Sequence, residues 1–193
     1  GSEMCIRDRD LRTGICLHKN ENGKTLSEFA SYQEAEDAFV DQMKYYIKME
    51  AILENTIDQV WEEMLEEPMA AIFACPTTTI PRGKPIKQGG AKYDLTGQQT
   101  IGTANIANSL YVIKKLIFED KKITGAQLQH ALETNWQDET TTPTGTQIKA
   151  MCLAVPKYGN DIDEVDFIAR DMMAMIAVSY THLRAHETTL HLV

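Results

Sequence analysis

Four stretches carry residue types that could do chemistry. "GKT" at Gly23–Thr25 has the ending of a phosphate-binding P-loop. Such a loop wraps phosphates in backbone amides and needs a glycine five residues before Gly23; His18 stands there, and no strand pattern leads in. "HETTLH", His186–His191, has the residue types of a zinc-protease helix, which sets its histidines four apart so that both face one metal. Here the spacing is five. His182 and His186 are four apart, but three of the five histidines fall in the last twelve residues, beyond the apolar periodicity, so no metal site is expected. Cys75 lies in an apolar run before Pro76, with no histidine or carboxylate beside it to lower its pKa, and reads as a small buried hydrophobe. Met172, Met173 and Met175 read as core packing.

The fourth stretch, "LTGQQT" at Leu95–Thr100, is the candidate site. Gly97 lets the backbone turn where other residues cannot, and lets a ligand come close to the main chain. Thr96, Gln98 and Gln99 supply neutral donors and acceptors, with Leu95 and Ile101 as an apolar wall. The bland alternative is an ordinary strand-to-helix loop.

Helices must position this loop. Ser31 and Glu34 have capping-box spacing and open a helix that runs to about Glu67, before Pro68, with Asn55–Thr56 as a candidate break. Phe39, Met43, Tyr46, Ile47, Leu53, Ile57, Val60, Trp61 and Met64 recur at steps that predict one buried stripe. "AKYDL" reads as a short strand, and "MAAIFACP" as a helical turn or buried strand. A second helix is expected over 103–118, capped by Thr103, with Ile106, Leu110, Ile113, Leu116 and Ile117 inward. Thr124 caps a third, "QIKAMCLAVP" is a fourth ending at Pro156, and Asp161 or Asp163 caps a last helix that reaches about Ala177.

The bulk numbers narrow the function. The chain's 193 residues suffice for one domain with a sizeable core. A net charge of −9 without a Lys/Arg run is a poor footprint for nucleic acid. No apolar run reaches the roughly 18 residues of a membrane span, and "GSEMCIRDRD" has no secretory apolar region. Four scattered cysteines without a CxxC pair point to reduced thiols in a cytoplasm.

Three stretches read together. "GGAKYDLTGQQTIGTANIANSLYVIKKLIFEDKKIT", "AVPKYGNDID" and the helix "SYQEAEDAFVDQMKYYIKM" resemble the glycyl radical enzymes of the pyruvate formate-lyase superfamily, nearest their dehydratase, decarboxylase and lyase branches. The likeness covers about residues 12–177. The family form has Asn where Asp94 stands, Pro-Gln-Gly where Gln98-Gln99-Thr100 stands and Asp where Asn108 stands, and "DETTTPTGT" looks like an insertion. Cys75 matches a structural family cysteine. The catalytic cysteine context, Gly-Cys-x-Glu or Cys-Cys, and the radical-glycine context, Arg-Val-x-Gly-aromatic, are both missing from the sequence.

The resemblance implies a mostly α chain with a few short strands, a fragment of the ten-stranded α/β barrel of these enzymes. Residues 10–177 would be an internal part of that domain. Residues 1–9 and 178–193 resemble translated sequencing-adaptor ends and are expected to be non-native. The parent would be a cytoplasmic, anaerobic homodimer that cleaves C–C, C–O or C–N bonds of a small molecule, or acts as an acyltransferase. Its glycyl radical would be installed by an S-adenosylmethionine-dependent iron–sulfur activating enzyme. Leu95, Thr96, Gln98, Gln99 and Ile101 are the expected substrate-binding residues, with no catalytic residue, no bound cofactor and no metal in this piece, which is expected to be inert alone. The rival expectation is a stand-alone helical interaction module.

Overall fold

The computed structural model describes residues 24–64, 79–84, 90, 92 and 99–187. Among them the regular structure is entirely helical. The expected strand "AKYDL" and the "MAAIFACP" run with Cys75 lie outside the described residues. The elements are α1 (Tyr32–Met64), a single turn α2 (Thr79–Arg82), α3 (Thr103–Val112) running into a π-helical segment (Ile113–Glu119), α4 (Gly125–Glu133), α5 (Gly145–Ala154) and α6 (Asp163–Glu187). They fall into two compact units. Residues to Tyr45 with Ile101–Thr181 form one; Tyr46–Thr100 with the residues from His182 form the other.

The first unit has its core around α3. Ala107, Leu110, Tyr111, Val112, Ile113 and Leu116 are all buried. Leu26, Phe39, Leu128, Ala131, Ile148, Val165 and Met172 share the cluster with them, while Ile106, Ile117 and Met175 pack at its edge. The expected helix over 103–118 therefore forms, but its second half widens into π geometry, with the amide of Asp120 reaching back to Lys115 O at 2.8 Å. Ile113 and Leu116 of this segment are both buried. Lys114 Nζ stands 5.8 Å from the centre of the Tyr32 ring, tying the π segment to the first turn of α1.

Caps set the helix starts. Ser31 Oγ accepts from Glu34 N at 3.2 Å, and the Glu34 carboxylate reaches back to Ala30 N at 2.8 Å, one residue upstream of a regular capping box. Thr124 with Gln127 and Thr144 with Gln147 form complete boxes. Thr103 is not a cap. Gly102 takes that position at φ 89°, its carbonyl accepting from Ile106 N at 3.0 Å, and the Thr103 hydroxyl donates to Met173 Sδ at 3.2 Å. Neither Asp161 nor Asp163 caps α6: Ile162 precedes the helix and its carbonyl accepts from Val165 and Asp166. α6 continues past Ala177 to Glu187, because nothing in the chain after Ala177 breaks a helix.

α1 departs most from expectation. It has no break at Asn55–Thr56; the Thr56 hydroxyl bonds back to Ile52 O at 2.8 Å, which a helix accommodates. The predicted buried stripe holds only at its start, where Phe39 and Ile47 are buried. Tyr46 (41%), Leu53 (59%), Ile57 (43%), Val60 (42%) and Trp61 (45%) are exposed. Helical period identifies an apolar face but not what covers it.

Two glycines are fixed by close backbone approach. A Cβ on Gly125 would lie 2.4 Å from Leu26 O and 2.7 Å from Leu26 C. On Gly145 it would lie 2.6 Å from Trp136 O. The "QDETTTPTGT" loop between α4 and α5 is held by side chains. Asp138 Oδ2 lies 2.6 Å from His130 Nε2, its Oδ1 accepts from Thr140 N and Oγ1, and Gln127 Nε2 donates to Thr142 O at 3.1 Å. The His130 bond first, and then the Thr140 donors, push the Asp138 carboxyl down to about 2.

Two outcomes follow for the isolated chain. An ordinary helical Gly→Ala change stabilises by about 0.5–1 kcal/mol. Gly125→Ala should instead destabilise by about 2 kcal/mol through overpacking, more than the roughly 1 kcal/mol of Thr124→Ala; a raised urea midpoint for Gly125→Ala would contradict the packing. Asp138 titrates low in the folded state, so its stabilisation is present above the ordinary value of 3.8 and is lost as pH falls towards about 2. Carboxyl NMR should place its midpoint near 2, and His130→Ala should move it upward.

Candidate functional site

The loop that leads into α3 is where sequence placed the site. Leu95, Thr96, Gly97 and Gln98 lie outside the described residues. Gln99 and Thr100 are exposed and without regular structure, at the end of the second unit's central segment. Ile101, 83% exposed, begins the first unit's second segment. Gly102 at φ 89° then turns the chain into α3, a conformation that excludes most side chains. Ile101 and Gly102 thus lead into the most buried helix of the first unit.

Beside that anchor, the 155–162 turn is built from polar bonds. Gly159 takes φ 87° and Asp161 φ 59°. Three bonds fix the turn from three directions. Tyr158 N donates to Asn108 Oδ1 on α3 at 2.7 Å. Gly159 N donates to Asp166 Oδ1 on α6 at 3.1 Å. Lys157 Nζ donates to Cys152 O at the end of α5 at 2.6 Å. One helical turn on from Asn108, Tyr111 donates its hydroxyl to Glu164 Oε2 at 2.5 Å, joining α3 to the first turn of α6. Burial, and then the bond to Glu164 and its charge, push the Tyr111 phenol up to about 12, so it stays protonated and donating.

A shallow cleft of about 270 Å³ opens here, lined by Thr103, Tyr158, Gly159, Asp166, Ala169, Arg170 and Met173. Its ionisable groups are engaged: Asp166 Oδ1 holds the Gly159 amide, and Arg170 pairs with Asp171 at 2.8 Å. Burial lowers the Lys157 pKa and raises that of the Cys152 thiol, which keeps the thiol protonated and unreactive near neutral pH. Among the described residues no three His, Cys, Asp or Glu side chains group as a metal site. No described helix is long and apolar enough to cross a membrane. Met172 is buried and Met175 packs on the core, as expected, whereas Met173 forms a cleft wall.

The Tyr111–Glu164 pair and the Asn108 latch were not legible as partners. Their only sequence signal is the three-residue spacing of Asn108 and Tyr111, which puts both on one side of α3. The arrangement positions backbone; it contains no acid–base pair or free nucleophile.

The comparisons with known proteins name the family. The pyruvate formate lyase-like family model matches residues 6–190. The chain belongs to that family. It is 35% identical, over 81% of its length, to the probable dehydratase YbiW of Escherichia coli. The structure describing 1,2-propanediol dehydration in Roseburia inulinivorans matches 94% of the chain at 35% identity, with a TM-score of 0.74. The glycerol-bound B12-independent glycerol dehydratase of Clostridium butyricum matches 94% at 31% identity and 0.72. Further relatives are named as sulfite-lyases and decarboxylases, one of them a glycyl radical subunit. The chain covers 19%, 22% and 21% of the first three proteins, about a fifth of their length.

Asn108 should act through its carbonyl oxygen alone. Asn108→Ala should cost about 0.5–1.5 kcal/mol in urea unfolding, while Asn108→Asp, which keeps the acceptor, should stay within about 0.5 kcal/mol of the parent chain. Equal losses in both variants would show that the latch does not depend on the acceptor.

Proposed function

We propose that this chain is the scaffold portion of a glycyl radical dehydratase or lyase that cleaves a C–O, C–C or C–N bond of a small hydroxylated molecule. The observation that carries the reading is 35% identity, across most of the chain, to a probable dehydratase and to the structure describing 1,2-propanediol dehydration. In the parent enzyme, the loop Leu95–Ile101 borders the substrate cavity. Thr96, Gln98 and Gln99 hydrogen-bond substrate, and Leu95 and Ile101 form apolar wall. The parent works as a cytoplasmic homodimer with a separate activating enzyme.

The residues present do not fit the radical cofactor itself. None of the eleven glycines has the Arg-Val-x-Gly-aromatic context, and no cysteine lies in Gly-Cys-x-Glu. The chain's own residues therefore bind and position, and no radical step is assigned to them. Residues 1–9 and 178–193, adaptor-like in sequence, take no part in this role.

Anaerobic incubation of the chain with an activating enzyme and S-adenosylmethionine should give no glycyl doublet by electron paramagnetic resonance. A doublet with oxygen-dependent cleavage at one glycine would overturn that inertness. In the full-length parent, Gln98→Ala or Gln99→Ala should lower kcat/KM about tenfold, from a lost hydrogen bond and a misplaced reacting carbon, with radical yield unchanged. Wild-type kinetics in both variants would make the loop merely structural.

A further inference from the structure

Two consecutive methionines of α6 have opposite surroundings. Residues three and four apart share a helix face, and Asp166, Ala169, Arg170 and Met173 all line the cleft. Met172 lies on the core side and is 4% exposed, whereas Met173 is 41% exposed. Met43, Met151 and Met175 pack against the same core as Met172. Among the described residues of the first unit, Met173 is therefore the methionine that a small solute reaches. Its sulfur also has a fixed neighbour. A thioether sulfur is a weak acceptor with two lone pairs, and the Thr103 hydroxyl, at the start of α3, donates to Met173 Sδ at 3.2 Å. That bond occupies one lone pair and leaves the other to the cleft.

We propose that Met173 is a site of sulfoxidation by small hydroperoxides, and that the Thr103 hydroxyl makes the product one sulfoxide epimer. In the step, the lone pair not held by Thr103 attacks one peroxide oxygen. The S–O bond forms as the O–O bond breaks. The sulfur is oxidised by two electrons, the peroxide is reduced, and the departing hydroxide takes the remaining proton and leaves as water. The sulfoxide sulfur is chiral, so the lone pair that reacts decides the epimer. Delivery on the cleft side sets the new polar oxygen in open space. The same oxygen on Met172 would have to be buried as a polar group in the core, which is costly. Met173 thus takes the oxidant ahead of Met172 and leaves the core side of α6 intact.

Limiting hydrogen peroxide on the intact chain tests this, with digestion and peptide mass spectrometry whose fragment ions separate Met172, Met173 and Met175. Met173 should gain oxygen about fivefold faster than Met172, or more. The digest is then divided between the two methionine sulfoxide reductases, each of which reduces one epimer. One of them should remove about fivefold more of the Met173 sulfoxide than the other, as the shielding of one lone pair by a single hydrogen bond implies. Thr103→Val should bring the two towards equality, and Thr103→Ser, which keeps the donor, should preserve the bias. The singly oxidised chain should melt within about two degrees of the untreated one. Equal reduction by both enzymes in the wild-type chain, a bias that survives in Thr103→Val, oxidation of Met172 first, or a Tm fall of several degrees on single oxidation would each overturn the proposal.

Discussion

Burial of α3 on nearly all sides is the constraint on which the first unit depends. Ala107, Leu110, Tyr111, Val112, Ile113 and Leu116 leave little of this helix facing water. A helix so enclosed needs a neighbour in each direction, and α1's first half, α4, α5 and α6 supply Phe39, Leu128, Ile148 and Val165. The π segment continues that helix with Ile113 and Leu116 buried. The turn at Leu26 and the start of α4 are then forced together until only glycine fits at 125.

Polar groups complete what the core begins. The buried helix presents Asn108 and Tyr111 one turn apart, and each takes a partner from a different element: the Tyr158 amide and the Glu164 carboxylate. These bonds cross long sequence separations, and the Tyr111–Glu164 bond is partly buried, where an unmade bond would leave a poorly hydrated polar atom. The turn they fix and the loop that enters α3 through Gly102 meet the same helix at its N-terminal half.

Much of this was legible in the sequence for local reasons. Thr124 and Thr144 precede Gln at the third helical position, and both boxes form. The 3.6-residue period gave the buried side of α3, and "GGAKYDLTGQQTIG" with "AVPKYGNDID" carried the family. What stayed hidden depends on distant partners. Thr103 has the chemistry of a cap, but Gly102 has the backbone freedom the turn requires, and geometry outweighs chemistry there. The α1 stripe has a faultless period and still faces outward past Ile47, since periodicity carries no information about the covering surface. The candidate loop itself was named from residue types and resemblance; of its binding residues only Gln99 and Ile101 fall among the described residues.

Native-state hydrogen exchange of the chain tests the primacy of α3 most directly. If the enclosed helix holds the first unit together, the amides of 107–119 should be the slowest to exchange and should open only with global unfolding, their free energies matching the urea value. The amides of Gln99–Gly102 should exchange far faster. Exchange of 107–119 through local openings well below the global value, or stronger protection in the second half of α1, would contradict the account.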